Sequence, residues 1–395
     1  MTQPAPLNLA IVGDRYDPAG GGAERSTLQT ANALAHRGHA VTLLAGSGEP
    51  GQLSANLQVQ TYRAGRSSSA ARLRGFANWA RAKLDAGGFD ASLSTTPAVA
   101  ATVVQPRGGT VVETQRRNIE MRIGGLDRLN KRLSFALSPK QRLLRSLEAR
   151  TYADPRLQRV AALSGYVRKQ LREHYRIDDA RIASIPNLAA PPSATPDERA
   201  AQRRAFRQAL SLDDATAVFV FAAENPRLKG LPTLLDALAQ LPADTPPLVV
   251  LLIGRIGFAV DQRAQAMGIG HLVRVLGATR RMDLVYAAGD AVVHPTHYDP
   301  SSKVVLEGLL YGLPAITTAY NGAADHLLPP GAPAPRGVVL SDPCDPAALC
   351  EALQRLADPQ QRAEMARAIG NATVELSIDA HVDRLEALMR ACATA

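Results

Sequence analysis

The chain has 395 residues, 46% of them apolar and 21% charged, with a formal charge of +9; this is enough apolar material for two hydrophobic cores, while its longest apolar stretches, near 248–253 and 291–293, fall short of the roughly 20 residues that cross a bilayer. A polar start broken by Gly13-Asp14-Arg15 lacks the order of parts of a secretion signal, and an aromatic share of 4% offers nucleic acid no stacking platform. Cys344, Cys350 and Cys392 lack metal-ligand spacing and read as reduced thiols with no zinc site, so the expectation is a two-domain cytoplasmic protein without a transmembrane helix.

Residues 7–12 form a first predicted strand, followed by a glycine-rich loop, a helix over 23–37 with Leu28, Ala31, Leu34 and Ala35 at helical spacing, and a strand over 40–44. Further strands are predicted at 59–62, Ala91–Ser94, 111–112 and 160–163, with helices near 70–84, 126–150 and 166–175. Strands alternating with helices predict a parallel sheet covered on both faces. From 107 to 150 eleven Lys and Arg stand against four Asp and Glu, a local excess of +7; it asks for an anionic partner or marks a solvated helix face.

The pattern breaks in an Ala/Pro/Ser/Thr stretch, which divides the chain into a domain over 1–188, a linker over 189–197, a second domain over 198–376 and a C-terminal helix over 377–395 that packs back on the first domain. Strands at 218–221, 248–253, 273–276, Ala291–His294, 315–317 and 338–340 give the second domain a doubly wound sheet. Two such α/β domains in tandem place ligands in a central cleft, outside the carboxyl ends of their strands.

Three loops carry candidate chemistry. Gly20-Gly21-Gly22-Ala23-Glu24 joins a strand to a helix, where glycine lets backbone N–H groups approach an anion or simply makes a tight turn. Asn225-Pro226-Arg227-Leu228-Lys229-Gly230 puts two cations at the end of a strand, suited to a diphosphate and to the charge of a leaving nucleoside diphosphate. The stretch from His297 to Gly308 holds Asp299 before a helix and Glu307 within it. Pro300-Ser301-Ser302 starts that helix, so N–H groups of Ser302 and Lys303 are expected to face an anion. The two carboxylates bracket one ligand and accept hydrogen bonds from hydroxyls; without a ligand, they are an N-cap and a surface charge.

On these motifs the sequence resembles the family 4 retaining glycosyltransferases over nearly its whole length. The matches are Gly21-Gly22-Ala23-Glu24, Ser164, Ile185-Pro186-Asn187, Lys229-Gly230, and the acidic pair Asp299 and Glu307 followed by Gly312-Leu313-Pro314. The resemblance implies a GT-B architecture, two Rossmann-like doubly wound domains facing a central cleft. It also implies a nucleotide-sugar donor carrying a hexose, of the UDP-glucose type, and no bound metal or other cofactor. Asp299 is then expected against the sugar hydroxyls, Glu307 against the ribose, and Lys229, with Arg227 and the backbone of Ser301, Ser302 and Lys303, against the diphosphate. Gly21, Gly22, Gly254 and Val304 complete the donor-binding set. Transfer with retention needs no protein nucleophile, because the departing diphosphate helps accept the acceptor's proton.

The sequence departs from the family at three places. Asp299 replaces the first glutamate with Pro300-Ser301-Ser302 behind it, Glu224 stands where an arginine is usual, and no first-domain histidine matches, which leaves Arg107 and Glu113 as acceptor-side candidates. Among subgroups the motifs are most similar to lipopolysaccharide core glucosyltransferases, for which the basic 107–150 segment suits a glycolipid acceptor at the inner face of the cytoplasmic membrane. A nucleotide-sugar 2-epimerase of the same fold and a non-catalytic nucleotide-sugar-binding protein are the alternatives.

Overall fold

The computed structural model describes residues 5–16, 22–49, 51–329, 331–332, 334–370 and 376–393. The first part of the chain runs β1 (Asn8–Tyr16), α1 (Gly22–His36), β2 (Ala40–Gly48), β3 (Leu57–Thr61), α2 (Ser69–Ala86), β4 (Ala91–Ser94), β5 (Val103–Val104), α3 (Val111–Glu120), α4 (Gly125–Leu137), α5 (Pro139–Ala153), β6 (Arg159–Ala162), α6 (Gly165–Tyr175) and β7 (Ile182–Ser184). The second runs α7 (Pro196–Ala209), β8 (Ala217–Ala223), α8 (Leu231–Leu238), β9 (Leu248–Gly254), α9 (Phe258–Ala266), β10 (Val273–Gly277), α10 (Met282–Ala288), β11 (Ala291–His294), α11 (Lys303–Leu310), β12 (Ala315–Thr318), β13 (Gly337–Leu340), α12 (Pro346–Ala357), α13 (Pro359–Ile369) and α14 (Ile378–Ala393).

Two compact units result: residues 1–188 with 378–395, and residues 189–377. The first holds a seven-stranded parallel sheet in the order β3-β2-β1-β4-β5-β6-β7, the second a six-stranded parallel sheet in the order β10-β9-β8-β11-β12-β13. In each, the strand order reverses direction beside its first strand, at β1/β4 and at β8/β11. Those switch points open crevices at the carboxyl ends of the strands.

Both sheets are covered on two faces, so their strands read as nearly unbroken apolar runs. In unit 2, Phe219, Phe221, Val250 and Leu252 point to one face and meet Leu234 and Leu235 of α8. Val218, Val220 and Leu251 point to the other and meet Leu306 and Leu309 of α11. In unit 1, Leu9, Ile11, Leu43 and Leu93 pack on Leu28, Ala31 and Leu34 of α1 and on Val382, Leu385 and Met389 of α14. Each such side chain contributes about 1.5–3 kcal/mol on burial. Polar contacts also fasten α14: Glu386 receives Arg37 at 3.0 Å, Arg390 at 2.9 Å and His39 at 3.2 Å.

Several sequence expectations are corrected. Val111 and Val112 are the first turn of α3, because the Thr110 hydroxyl caps Glu113 N–H at 3.3 Å and the buried Glu148 carboxylate takes Val111 N–H at 2.8 and 2.9 Å. The strand of that region is instead the short pair Val103–Val104. The single helix expected over 126–150 is two, α4 and α5, since Pro139 lacks an N–H and Ser138 caps the second helix at Gln141 N–H. The stretch taken as a linker over 189–197 is partly built into unit 2: Ala189 N–H bonds Leu376 O at 3.0 Å, and a Thr195/Glu198 capping box starts α7 at Pro196.

Candidate donor site at the switch point of unit 2

The β8 and β11 strands deliver two loops to the same crevice. Gly230 has φ +84°, and a Cβ there would lie 2.0 Å from Pro295 O, so only glycine lets the first loop lie against the chain leaving β11. The contact is sealed by His297 N–H and the Thr296 hydroxyl, which both donate to Leu228 O, at 2.9 and 3.1 Å. Gly254, at the end of neighbouring β9, has φ +111° and would place a Cβ 2.1 Å from Ala223 O. Its position serves the approach of the β8 and β9 ends.

This docking fixes Lys229. Its ammonium group donates to Asp299 Oδ2 at 2.6 Å and to Tyr298 O at 3.2 Å, with side chains only 19% and 14% exposed. Asp299 is held in turn by its backbone, which pairs with Tyr320 O and Gly322 N–H at 2.9 Å each. Its other carboxylate oxygen accepts Ser301 N–H at 3.0 Å. Asn321 Oδ1 accepts Ser302 N–H at 3.1 Å and Ala323 N–H at 3.0 Å, while its amide donates to Thr317 at 2.8 Å. The N–H groups of Ser301 and Ser302, expected to face an anion, are therefore taken by side chains, and Asp299 organises the turn rather than capping α11, whose N-cap is Ser302.

Glu307 lies on the second turn of α11, where the Tyr286 hydroxyl donates to it at 3.0 Å. Lys303 and Val304, in the first turn, are half-buried. Arg227 is exposed, and so is Glu224, which pairs with Arg255 at 2.8 Å. Arg255 thus brings a cation beside the position where the sequence lacks the family's arginine; it follows Gly254 at the end of β9, one strand beyond the Asn225–Gly230 loop, and belongs to none of the quoted motifs. His294 closes the floor. It is buried at the end of β11, burial and the nearby Lys229 charge pull its pKa down to about 3 against the opposing pull of Asp299, and its Nδ1 has no hydrogen-bond partner among the described residues. The imidazole is neutral under ordinary conditions.

Unit 1 distributes its expected residues differently. Gly21 lies outside the described residues, and Gly22 opens α1. Arg107 is buried beyond β5 and donates to Gln105 at 3.0 Å, Thr27 at 3.3 Å and Thr30 at 2.9 Å, with burial lowering its pKa to about 9. Glu113 is also interior: Arg117 at 2.7 Å, Tyr166 at 2.9 Å and His174 at 3.0 Å surround it. Burial acts to raise its pKa, and these partners together bring it below the usual value. Both side chains, expected on the acceptor side, are thus spent on internal hydrogen bonds of unit 1.

Residues 20–189 match the family described as Glycosyltransferase Family 4, and residues 202–374 match Glycosyl transferases group 1. The lipopolysaccharide glucosyltransferase WaaG of Escherichia coli (strain K12) is 22% identical over 225 residues, 56% of this chain and 59% of that protein. A D-inositol 3-phosphate glycosyltransferase of Corynebacterium urealyticum is 31% identical over 208 residues, 50% of this chain and 48% of the relative. The matches thus span about half of each of these curated relatives. In fold, the crystal structure of WaaG superposes with a TM-score of 0.76 at 19% identity, covering 96% of this chain and 98% of that one. Anabaena Alr3699/HepE in complex with UDP and glucose gives a TM-score of 0.66 at 18% identity, covering 98% and 100%. With a doubly wound sheet in each unit and both halves matched in order, the chain belongs to the family 4 glycosyltransferases of GT-B fold.

Proposed function

We propose that the protein is a retaining glycosyltransferase that moves a hexose from a nucleoside-diphosphate sugar, of the UDP-glucose type, to a hydroxyl of a cell-envelope glycan or glycolipid. The observation that carries this reading is the Lys229–Asp299 pair at 2.6 Å, held at the β8/β11 switch point with Glu307 on the helix behind it. Lys229 would balance the diphosphate, releasing Asp299 to accept hydroxyl protons of the sugar, and Glu307, steered by Tyr286, would accept those of the ribose. Gly254 would lie beside the nucleotide at the end of β9, Val304 and Lys303 border the phosphates, and the exposed Arg227 and Arg255 add positive charge. The UDP bound to HepE supports the choice of base.

In this reaction the bond from the anomeric carbon to the diphosphate oxygen breaks and one to the acceptor oxygen forms on the same face. The acceptor's proton passes to the departing diphosphate, so the chain's task is positioning and charge balance, and no metal is assigned.

The exposed part of the basic 107–150 segment around α4 is assigned to an anionic membrane surface. Within it, α4 buries no side chain and exposes Leu126, Leu129, Leu133 and Leu137 as one stripe, with Leu126 79% and Leu137 74% exposed. Arg128, Lys131 and Arg132 flank the stripe, the pattern of a helix that lies in an interface. Among the described residues no helix is long and apolar enough to cross a membrane; the attachment proposed is peripheral, at the cytoplasmic side.

The decisive experiment is a thermal-shift screen against nucleoside diphosphates and their sugars, followed by assay of diphosphate release with and without glycan acceptors. A ligand that binds the native state raises its apparent stability. Stabilisation by UDP and acceptor-dependent release are expected. Absence of a shift with every nucleoside diphosphate overturns the donor assignment; tight binding with neither hydrolysis nor transfer makes the protein a binding module, and acceptor-free release of UDP points to an epimerase.

A further inference from the structure

A second charged feature lies in unit 1, distinct from the leucine stripe of α4 and from the buried Arg107 and Glu113. Helices α2 and α5 pack side by side and leave a groove of about 460 Å³ lined by Arg74, Pro139, Arg142, Leu143, Ser146 and Arg150. Arg142, Ser146 and Arg150 recur at intervals of four and share one face of α5; Arg74 reaches the same groove from α2. The three arginines are exposed, and among the described residues none of their guanidinium groups pairs with a carboxylate. This contrasts with their neighbours. Arg156 is paired with Asp85 at 2.6 Å and Arg81 with Asp154 at 3.3 Å, and Glu148, the acid of α5, is turned into the core, where it caps α3.

Topology gives the groove a direction. In a parallel sheet the crossover helices run back against the strands, so α2 begins beside the carboxyl end of β3, and α5, which leads into β6, begins on that same edge. The positive charge of Lys140, in the first turn of α5, acts on Asp14 near the end of β1. Arg74 and Arg142 therefore sit toward the ligand-binding edge of unit 1. Three like charges held together without a counter-ion repel one another unless an anion is present, and guanidinium forks suit the oxygens of a phosphate.

We propose that the groove of Arg74, Arg142 and Arg150 is an anion subsite that binds a phosphate ester carried by the saccharide acceptor. The identity of the ligand as an acceptor rests on the glycosyl-transfer reading above, whereas the anion site itself does not. Arg150 and Arg142 take the phosphate oxygens from α5, Arg74 closes on them from α2, and the Ser146 hydroxyl adds a donor between.

The chain carries a reporter for this site. Trp79, its single tryptophan, lies on α2 between Tyr62 and Phe76 at ring distances of 5.9 and 6.2 Å and belongs to the cluster that joins Leu73 to Leu147 of α5. Titration of the full-length protein with glucose 6-phosphate, in excess UDP to fill the donor site, should give a saturable change in Trp79 fluorescence, and glucose should give none. Arg74→Gln, Arg142→Gln and Arg150→Gln should each weaken that binding by about tenfold, the scale of one lost charge-assisted contact. Arg145→Gln, which removes a charge from another face of α5, should leave it unchanged. UDP-induced thermal stabilisation should be the same in all four variants, so failure here is separable from failure of the donor assignment. No saturable response, equal binding of glucose, or equal weakening by Arg145→Gln would overturn the subsite. So would loss of binding to phosphatidylcholine–phosphatidylglycerol vesicles in the groove variants without any binding of glucose 6-phosphate, which would make the groove a membrane contact instead.

Discussion

Asp299 is one methylene shorter than the glutamate its family uses, and the structure shows where that difference is absorbed. The side chain reaches Lys229 directly and also takes Ser301 N–H, so it serves both as counter-ion and as the brace of the turn into α11. Replacing Lys229 by alanine should lower turnover by at least about a hundredfold, the scale of one charge-stabilising group in a transition state, and should cost about 1–3 kcal/mol of stability because Asp299 loses its partner in a half-buried site. Glu307→Ala should weaken donor binding strongly and leave the far-ultraviolet circular dichroism unchanged, since Glu307 is half-buried and its carboxylate accepts the Tyr286 hydroxyl. Steady-state kinetics and donor titration check both; wild-type turnover in the two variants would remove the donor assignment. The pair Lys229 and Asp299 was legible in the sequence as two separate motif positions, and their contact was not, because seventy residues and two loops separate them. His294 left no trace at all in the sequence reading: a histidine at a strand end looks like any other until the fold buries it beside Lys229.

Among the elements, α3 and α5 depend on a carboxyl group in an unusual state. Glu148 is fully buried, and burial raises its pKa to about 7 despite the bonds from Tyr175 and Val111 that favour the charged form. An acid whose folded pKa lies above its unfolded one binds more protons when folded, so its contribution is fully present below the unfolded value near 4.5 and is lost as pH rises through about 7. Denaturant unfolding between pH 5 and 8 should therefore show stability falling by about 2 kcal/mol with rising pH, and Glu148→Gln should flatten that slope. A slope unchanged in the variant would assign the effect elsewhere. The C-terminal helix offers a packing test: Leu385 is completely buried against unit 1, and Leu385→Ala should cost about 2–5 kcal/mol of stability by leaving a cavity, read as a lower denaturant midpoint. Hydrophobic period located most helices, but it ran α4 and α5 together and took the β-branched start of α3 for a strand. Local capping by Ser138, Thr110 and Glu148 decided those places; Ser138 and Thr110 act within three residues and are visible in the sequence, whereas Glu148 reaches Val111 only through the fold.

For the molecule as a whole, the charge excess between 107 and 150 divides into parts with different fates. Glu113, Arg107 and Glu148 are interior, Arg142 and Arg150 face a groove with Arg74, and α4 stands out with its leucines bare. Binding to anionic vesicles should weaken with salt, and Leu129→Ser with Leu133→Ser should reduce it further at any salt, since burial of apolar area adds to the charge attraction. Sedimentation with phosphatidylglycerol vesicles measures this, and binding indifferent to both salt and the two substitutions would rule out the membrane reading of α4.

What the sequence determined by itself was the class of fold, two α/β units with parallel sheets, together with ordered motifs that resemble those of the family 4 glycosyltransferases and the place of the candidate donor loops at strand ends. These are consequences of local period and of glycine, proline and charged residues at fixed positions, all of which act over short stretches. Tertiary structure decided which polar groups remain available. It tied Ser301 and Ser302 N–H to side chains, drew Arg107 and Glu113 inside, set Arg255 beside Glu224 and left three arginines of α2 and α5 without a counter-ion. Hydrogen bonds and burial couple residues distant in sequence, and only the folded chain shows how that coupling is shared out.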